Sequence, residues 1–143
     1  MSEPYETVAT LRIFGDTLVP EEISQALGCE PTRSELKGQV FIGPVTGNKR
    51  IAKTSSWRLE NTNREPGDLD SQISEILAKT TQDLNVWKSL SDRFEIDLFC
   101  GVFADNKIVD FSILPESMTA LGERGIEIVF DVYCDLDENK IED

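Results

Sequence analysis

Phe94-Glu95-Ile96-Asp97-Leu98-Phe99-Cys100-Gly101-Val102-Phe103 decides the fold class of this chain. Phe94, Ile96, Leu98, Cys100 and Val102 fall on every second position, with Glu95 and Asp97 between them. Successive side chains of a strand point to opposite faces, so the stretch is a strand with one apolar and one polar face. Ile126-Glu127-Ile128-Val129-Phe130-Asp131-Val132-Tyr133-Cys134-Asp135 repeats the pattern, with Ile126, Ile128, Phe130, Val132 and Cys134 on one side. Residues 8–14 do so more briefly, setting Ala9, Leu11 and Ile13 against Thr10 and Arg12. Strands of this kind build a sheet with one covered and one solvated face, hence a largely antiparallel one. Cys100 and Cys134 occupy the apolar positions, so both are expected to be buried, free and inert as small hydrophobes.

The segments between these strands read as helices and turns. Pro20 suits a first helical turn, Glu21 and Glu22 suit its positive end, and Gly28 follows as a stop. Ile23, Ala26 and Leu27 give that helix an apolar stripe. Pro115-Glu116, Met118 and Leu121, closed by Gly122 or Gly125, repeat the arrangement before the last strand. The two copies suggest an internal strand-helix-strand pseudo-repeat. Leu69, Ile73, Ile76, Leu77, Leu84, Trp87 and Leu90 keep helical spacing and predict one long amphipathic helix over residues 70–91, with a break available near 83–85. Residues 32–40 and 53–60 read as two weaker strands joined by a hairpin loop at 41–50, expected to be exposed and mobile. Residues 104–107 read as a tight turn into a short strand at 108–113. The expected architecture is α+β: a single mostly antiparallel sheet with helices packed on one face, in ferredoxin-like style, as one domain over residues 1–143 with frayed tails at 1–6 and 137–143.

Composition removes whole classes of chemistry. The 143 residues include no histidine. An imidazole base, a neutral-pH proton shuttle, Ser-His-Asp or Cys-His triads and His-bearing zinc sites are therefore excluded. Three cysteines cannot form a complete disulfide framework, and none starts a CxxC pair. A reducing cytoplasm is the simplest setting, and the first residues lack a signal-peptide pattern. No apolar run reaches the roughly 18 residues of a membrane helix. No catalytic residue, metal or cofactor is expected. Asp135-Leu136-Asp137-Glu138-Asn139 opens like a calcium loop, but Lys140 stands where the required glycine belongs.

Charge is unevenly placed. The net formal charge is -13. Residues 1–66 hold nine acidic and eight basic side chains, and residues 67–143 hold eighteen and six. Nucleic acid and anionic membrane are disfavoured partners, because phosphate binding needs a basic surface. Such acidity solubilises the chain or steers a basic protein partner. Between Glu35 and Glu60 the balance inverts: Lys37, Lys49, Arg50, Lys53 and Arg58 occur with no acid among them. Lys49, Arg50, Lys53 and Arg58, with Trp57 at the edge or just beneath, form a candidate patch for an anion or for the acidic face of a second copy.

A set of residues then carries a family resemblance. Ala9-Thr10-Leu11-Arg12-Ile13-Phe14-Gly15, Leu18, Pro20-Glu21-Glu22-Ile23-Ser24, Ala26-Leu27-Gly28 and Glu30-Pro31-Thr32 are its first part. Lys37-Gly38, Ser56-Trp57-Arg58-Leu59 and Leu121-Gly122 complete it. Over nearly its whole length the chain resembles the bacterial domain-of-unknown-function 4279 family. The resemblance implies a small cytoplasmic bacterial protein and brings no catalytic residues with it. The function expected is a non-enzymatic protein-binding module, in a concrete version an immunity or antitoxin-like protein whose acidic face masks a basic toxin. A small-ligand or anion-binding domain using the basic hairpin 37–58 is the alternative, and a carboxylate-based enzyme is the third reading.

Overall fold

The computed structural model describes residues 3–105 and 108–134. Eleven elements follow in order: β1 (Glu6–Gly15), α1 (Pro20–Leu27), β2 (Arg33–Glu35), β3 (Val40–Ile42), β4 (Lys49–Ile51), β5 (Ser55–Glu60), α2 (Leu69–Lys79), α3 (Leu84–Arg93), β6 (Glu95–Ala104), α4 (Pro115–Glu123) and β7 (Glu127–Cys134). Five strands form the main sheet in the order β2-β5-β1-β6-β7, and β3 pairs with β4 in a separate hairpin. Every pairing in the main sheet is antiparallel except β6 with β7.

The period-two strands bury the faces their sequences assign. Register puts Ile13 beside Trp57 and Ile96, and Leu11 beside Leu59 and Leu98. These side chains join Ile23, Leu27, Ile73, Ile76, Trp87, Leu90 and Leu121 from the four helices in one buried cluster. The helices therefore share one face, and the opposite face carries Thr10, Arg12, Arg58, Asp97 and Phe99, all partly exposed. Trp57 Nε1 donates to Ser24 Oγ at 3.0 Å, so the one polar atom of that ring is satisfied within the core.

Helix ends follow local chemistry. Pro20 opens α1, and Gly28 closes it in the left-handed region at φ 70°. Asp68 caps α2 by accepting from the Ser71 amide, and Asp83 caps α3 by accepting from the Asn85 amide. The single helix expected over 70–91 is thus two helices. Thr80 to Asp83 is the reason. The Thr80 hydroxyl and Gln82 Nε2 take the Leu77 carbonyl, the Thr81 amide donates to Leu27, and the Thr81 carbonyl accepts from Trp87 Nε1. Helical spacing survives the break because both helices face the same core.

Both strand-helix-strand units are present. β6-α4-β7 pairs its two strands directly, whereas β1 and β2, each antiparallel to β5, run parallel with β5 between them. Three other expectations are corrected. Residues 108–113 form no strand beyond a single bridge position at Val109, and β6 already pairs on both sides, with β1 and β7. The segment 41–50 is not a plain loop, because β3 and β4 pair inside it. Cys134 is exposed rather than buried. It stands on the helix side next to Ala104, but among the described residues β7 ends the sheet and the core reaches it only at Ile128, leaving Val132 and Cys134 exposed. At the other terminus, the Tyr5 amide donates to the Phe103 carbonyl and Pro4 is buried, so the chain is tied down before β1 begins. The turn at 104–107 falls partly, and the calcium-like loop and the tail at 137–143 fall wholly, outside the described residues.

One buried polar tie joins β1 to α2. Gln72 Oε1 accepts from Thr7 Oγ1 at 2.6 Å, and Gln72 Nε2 donates to the Thr7 and Thr62 carbonyls at 3.0 Å each. Gln72 is fully buried, and every polar atom of its amide is directed at a partner.

Candidate functional site

The basic hairpin folds back onto the open face of the sheet. Arg50 on β4 donates to Glu35 Oε1 at 3.1 Å and Oε2 at 3.0 Å, while its guanidinium lies 4.4 Å from the Phe41 ring centre. Arg33 reaches the same Glu35 Oε2 at 2.8 Å. The hydrogen bonds from Arg50, and then those from Arg33, hold the Glu35 carboxyl below its ordinary value against the opposing effect of burial. Lys49 and Lys53 are exposed and form no ion pair among the described residues. Trp57 is a core residue and faces the helices, so it contributes no surface to a patch on the other side. Arg58, one position along β5, points to the open face.

Sheet register then assembles a group that the basic island did not contain. Arg58 stands beside Arg12 of β1 on one side and Arg33 of β2 on the other. Arg12 is locked: its Nε and Nη2 donate to the two oxygens of Asp97 at 2.7 Å each. That pairing raises the Arg12 value, with desolvation opposing it. The Arg12 guanidinium also lies 4.5 Å from the Phe99 ring centre and 5.2 Å from that of Phe14. Arg12, Arg33, Arg58 and Phe99 line a hollow of about 230 Å³ on the open face, together with Glu60. Arg12 was legible as a solvated-face residue from the alternation at 8–14. Its neighbours Arg33 and Arg58 lie 21 and 46 residues away, and only the register unites them.

A second feature occupies the helix face. Glu3, Asp68, Asp70 and Asp110 surround a groove of about 570 Å³ whose apolar side is Phe111 and Leu114. Asp68 is engaged as the α2 cap, and Asp70 Oδ1 accepts from the Leu114 amide at 2.9 Å, fixing the 110–114 connector against α2. Phe111 packs on Phe130 of β7 with ring centres 5.6 Å apart. From there the apolar surface continues over Val132, 47% exposed, on the strand that ends the sheet among the described residues, and Met118 of α4 is 56% exposed.

The thiols divide by environment. Burial, and then the charge of Asp97, pushes the Cys100 thiol up to about 12, which leaves it protonated and unreactive at neutral pH. All three cysteines are free, with Cys29 partly exposed and Cys134 exposed. Among the described residues no group of three Cys, Asp or Glu side chains is placed to hold a metal ion. No helix among them is long and apolar enough to cross a membrane.

No curated protein and no solved structure matches this chain. A family model does, and it spans residues 4–135, which takes in every strand and helix from β1 to β7. On that match the chain belongs to the family described as Domain of unknown function (DUF4279).

Proposed function

We propose that the protein is a non-enzymatic binding module that captures a basic segment of a partner protein on its helix face. The observation that carries the reading is the groove of about 570 Å³, acidic at Glu3, Asp68, Asp70 and Asp110 and apolar at Phe111 and Leu114. Its continuation over Phe130 and Val132 reaches β7, which has no second strand partner among the described residues, the geometry that accepts an extended segment by main-chain hydrogen bonding. Charge complementarity selects the occupant: eighteen of the chain's 27 acidic side chains follow residue 66. Alternating cationic and apolar side chains would satisfy both the rim and the floor. An immunity or antitoxin-like role, with a basic toxin as partner, is the specific form of this proposal. The free thiols support a reducing bacterial cytoplasm as its setting.

A fluorescent peptide of alternating Lys and Leu is the probe, with a Glu-Leu peptide as its opposite. The Lys-Leu peptide is expected to bind, with an association rate that falls as salt rises. Glu3→Lys with Asp110→Lys should weaken it at least about tenfold, whereas the charge-matched Glu95→Lys with Glu123→Lys should change it less than about threefold. Equal binding of both peptides, or equal loss in both double variants, would reduce the acidity to a bulk property and overturn the proposal.

A further inference from the structure

Arg58 is the anomaly of the open face. Arg12 is closed by Asp97 and Arg33 by Glu35, but the Arg58 side chain makes no hydrogen bond and no ion pair among the described residues. Its Nε is shielded from solvent with no acceptor. Arg124 offers the instructive contrast. It is 7% exposed and its Nε is also unpaired, yet its other nitrogens donate to the Ala120 carbonyl and to Gln82 Oε1, so it works as a clamp between α4 and the α2–α3 connection. Arg58 has no such employment. A partly desolvated guanidinium with no carboxylate hydrogen-bonded to it is costly, and buried charges in folded proteins are held with a partner.

The surroundings indicate what that something is. Desolvation lowers the Arg58 value first, and repulsion from Arg33 and Arg12 lowers it further, which reports a local excess of positive field at this point. Glu35 and Asp97 offset part of that field, but both are spent on other arginines. The hollow beside Arg58 also presents Thr10 and Thr32. Thr32 Oγ1 accepts from the Glu60 amide at 2.9 Å, which leaves its proton to donate. Phe14 lies beneath the guanidinium, its ring centre 5.6 Å away, and stiffens it in place, while Phe99 supplies an apolar wall. The volume of about 230 Å³ is below the roughly 300–1,000 Å³ of sites for drug-sized ligands, so the occupant has few heavy atoms.

We propose that this hollow is a binding site for a small oxyanion, the carboxylate or phosphate group of a compact molecule, received by Arg58 with donation from Thr10 and Thr32. Arg12 provides fixed field rather than direct contact, because Asp97 takes its Nε and Nη2, and Arg33, tied to Glu35 through Nη2 alone, adds to that field. The site lies on the opposite face of the sheet from the acidic groove and stands or falls independently of it.

Inorganic phosphate and acetate, each titrated at constant ionic strength against a chloride control, distinguish the two sources of the anion. The readout is the ¹H–¹⁵N spectrum of the labelled protein. Saturable shifts are expected at the amides of Thr10, Thr32, Arg58 and Phe99 with at least one of the two probes. Phosphate alone assigns a phosphate-bearing ligand and acetate alone a carboxylate. Arg58→Met should weaken binding at least about tenfold. Arg58→Lys, which keeps the charge but loses the fork, should weaken it less than Met does. Arg58→Met removes an unpaired charge and is expected to fold, and should it not, the lysine variant carries the same comparison. Shifts that never saturate, shifts confined to Lys49 and Lys53, or an unchanged affinity in either Arg58 variant would overturn the proposal.

Discussion

Gln72→Met asks whether the polar tie between β1 and α2 is as important to this fold as the apolar core around it. Methionine has nearly the length and shape of glutamine and no amide. In the variant the Thr7 carbonyl keeps the Arg64 amide at 2.9 Å, and Thr7 Oγ1 still accepts from the Asp68 amide at 2.9 Å. The Thr7 hydroxyl proton, however, is left in a site only 1% exposed with no acceptor. That orphan costs about 1–3 kcal/mol, and the two lost amide bonds add about 0.5–1.5 kcal/mol each. Burying a thioether instead of an amide returns roughly 1 kcal/mol. The expected net loss is about 1–5 kcal/mol. At about 2.1 cal/mol/K per residue, 143 residues lose roughly 3 °C of Tm per kcal/mol, so the melting point should fall by about 3–15 °C. Urea unfolding with an unchanged m-value reads the free energy directly. A double-mutant cycle with Thr7→Val should show coupling above about 0.5 kcal/mol. A loss below about 1 kcal/mol, or strict additivity with Thr7→Val, would refute the claim that this network is a stabilising tie.

Two further outcomes are expected. Thiol labelling of the native protein should modify Cys134 and Cys29 quickly and Cys100 only after unfolding, because Cys100 is buried and its thiol is pushed up to about 12; rapid native labelling of Cys100 would contradict the register of β6. Glu35→Gln should destabilise the protein at about pH 6, where Arg50 and Arg33 hold the parent carboxylate below its ordinary value. A carboxyl depressed on folding contributes stability that is complete above its unfolded value and disappears as pH falls through the folded one, so parent and variant should converge in acid. A stability difference independent of pH would show that the Glu35 ion pairs do not contribute.

Periodicity carried the local part of this structure. Alternation at 8–14, 94–103 and 126–134 fixed which side chain of each strand faces the core, since a strand has only two faces and the choice repeats every second residue. Pro20, Gly28 and Pro115 marked helix ends through dihedral preference and orphan backbone groups, both local properties. The absence of histidine and the uneven acidity, with their consequences for chemistry, needed no fold at all. Partnership between distant segments was beyond the reach of any such pattern. Nothing in the alternation of β7 says that it ends the sheet among the described residues, and so Cys134, on the apolar face, is exposed while Cys100, with the same pattern, is sealed. The same spacing of apolar residues is produced by one helix or by two that share a core, so hydrogen bonding at Thr80–Asp83 decided the break at α2 and α3. The charge count at 36–59 marked a basic island but could not know that Glu35 would occupy Arg50, or that register would set Arg58 between Arg12 and Arg33. Burial and charge compensation depend on what covers a residue and what stands beside it across the sheet, and those neighbours come from parts of the chain that sequence order keeps far apart.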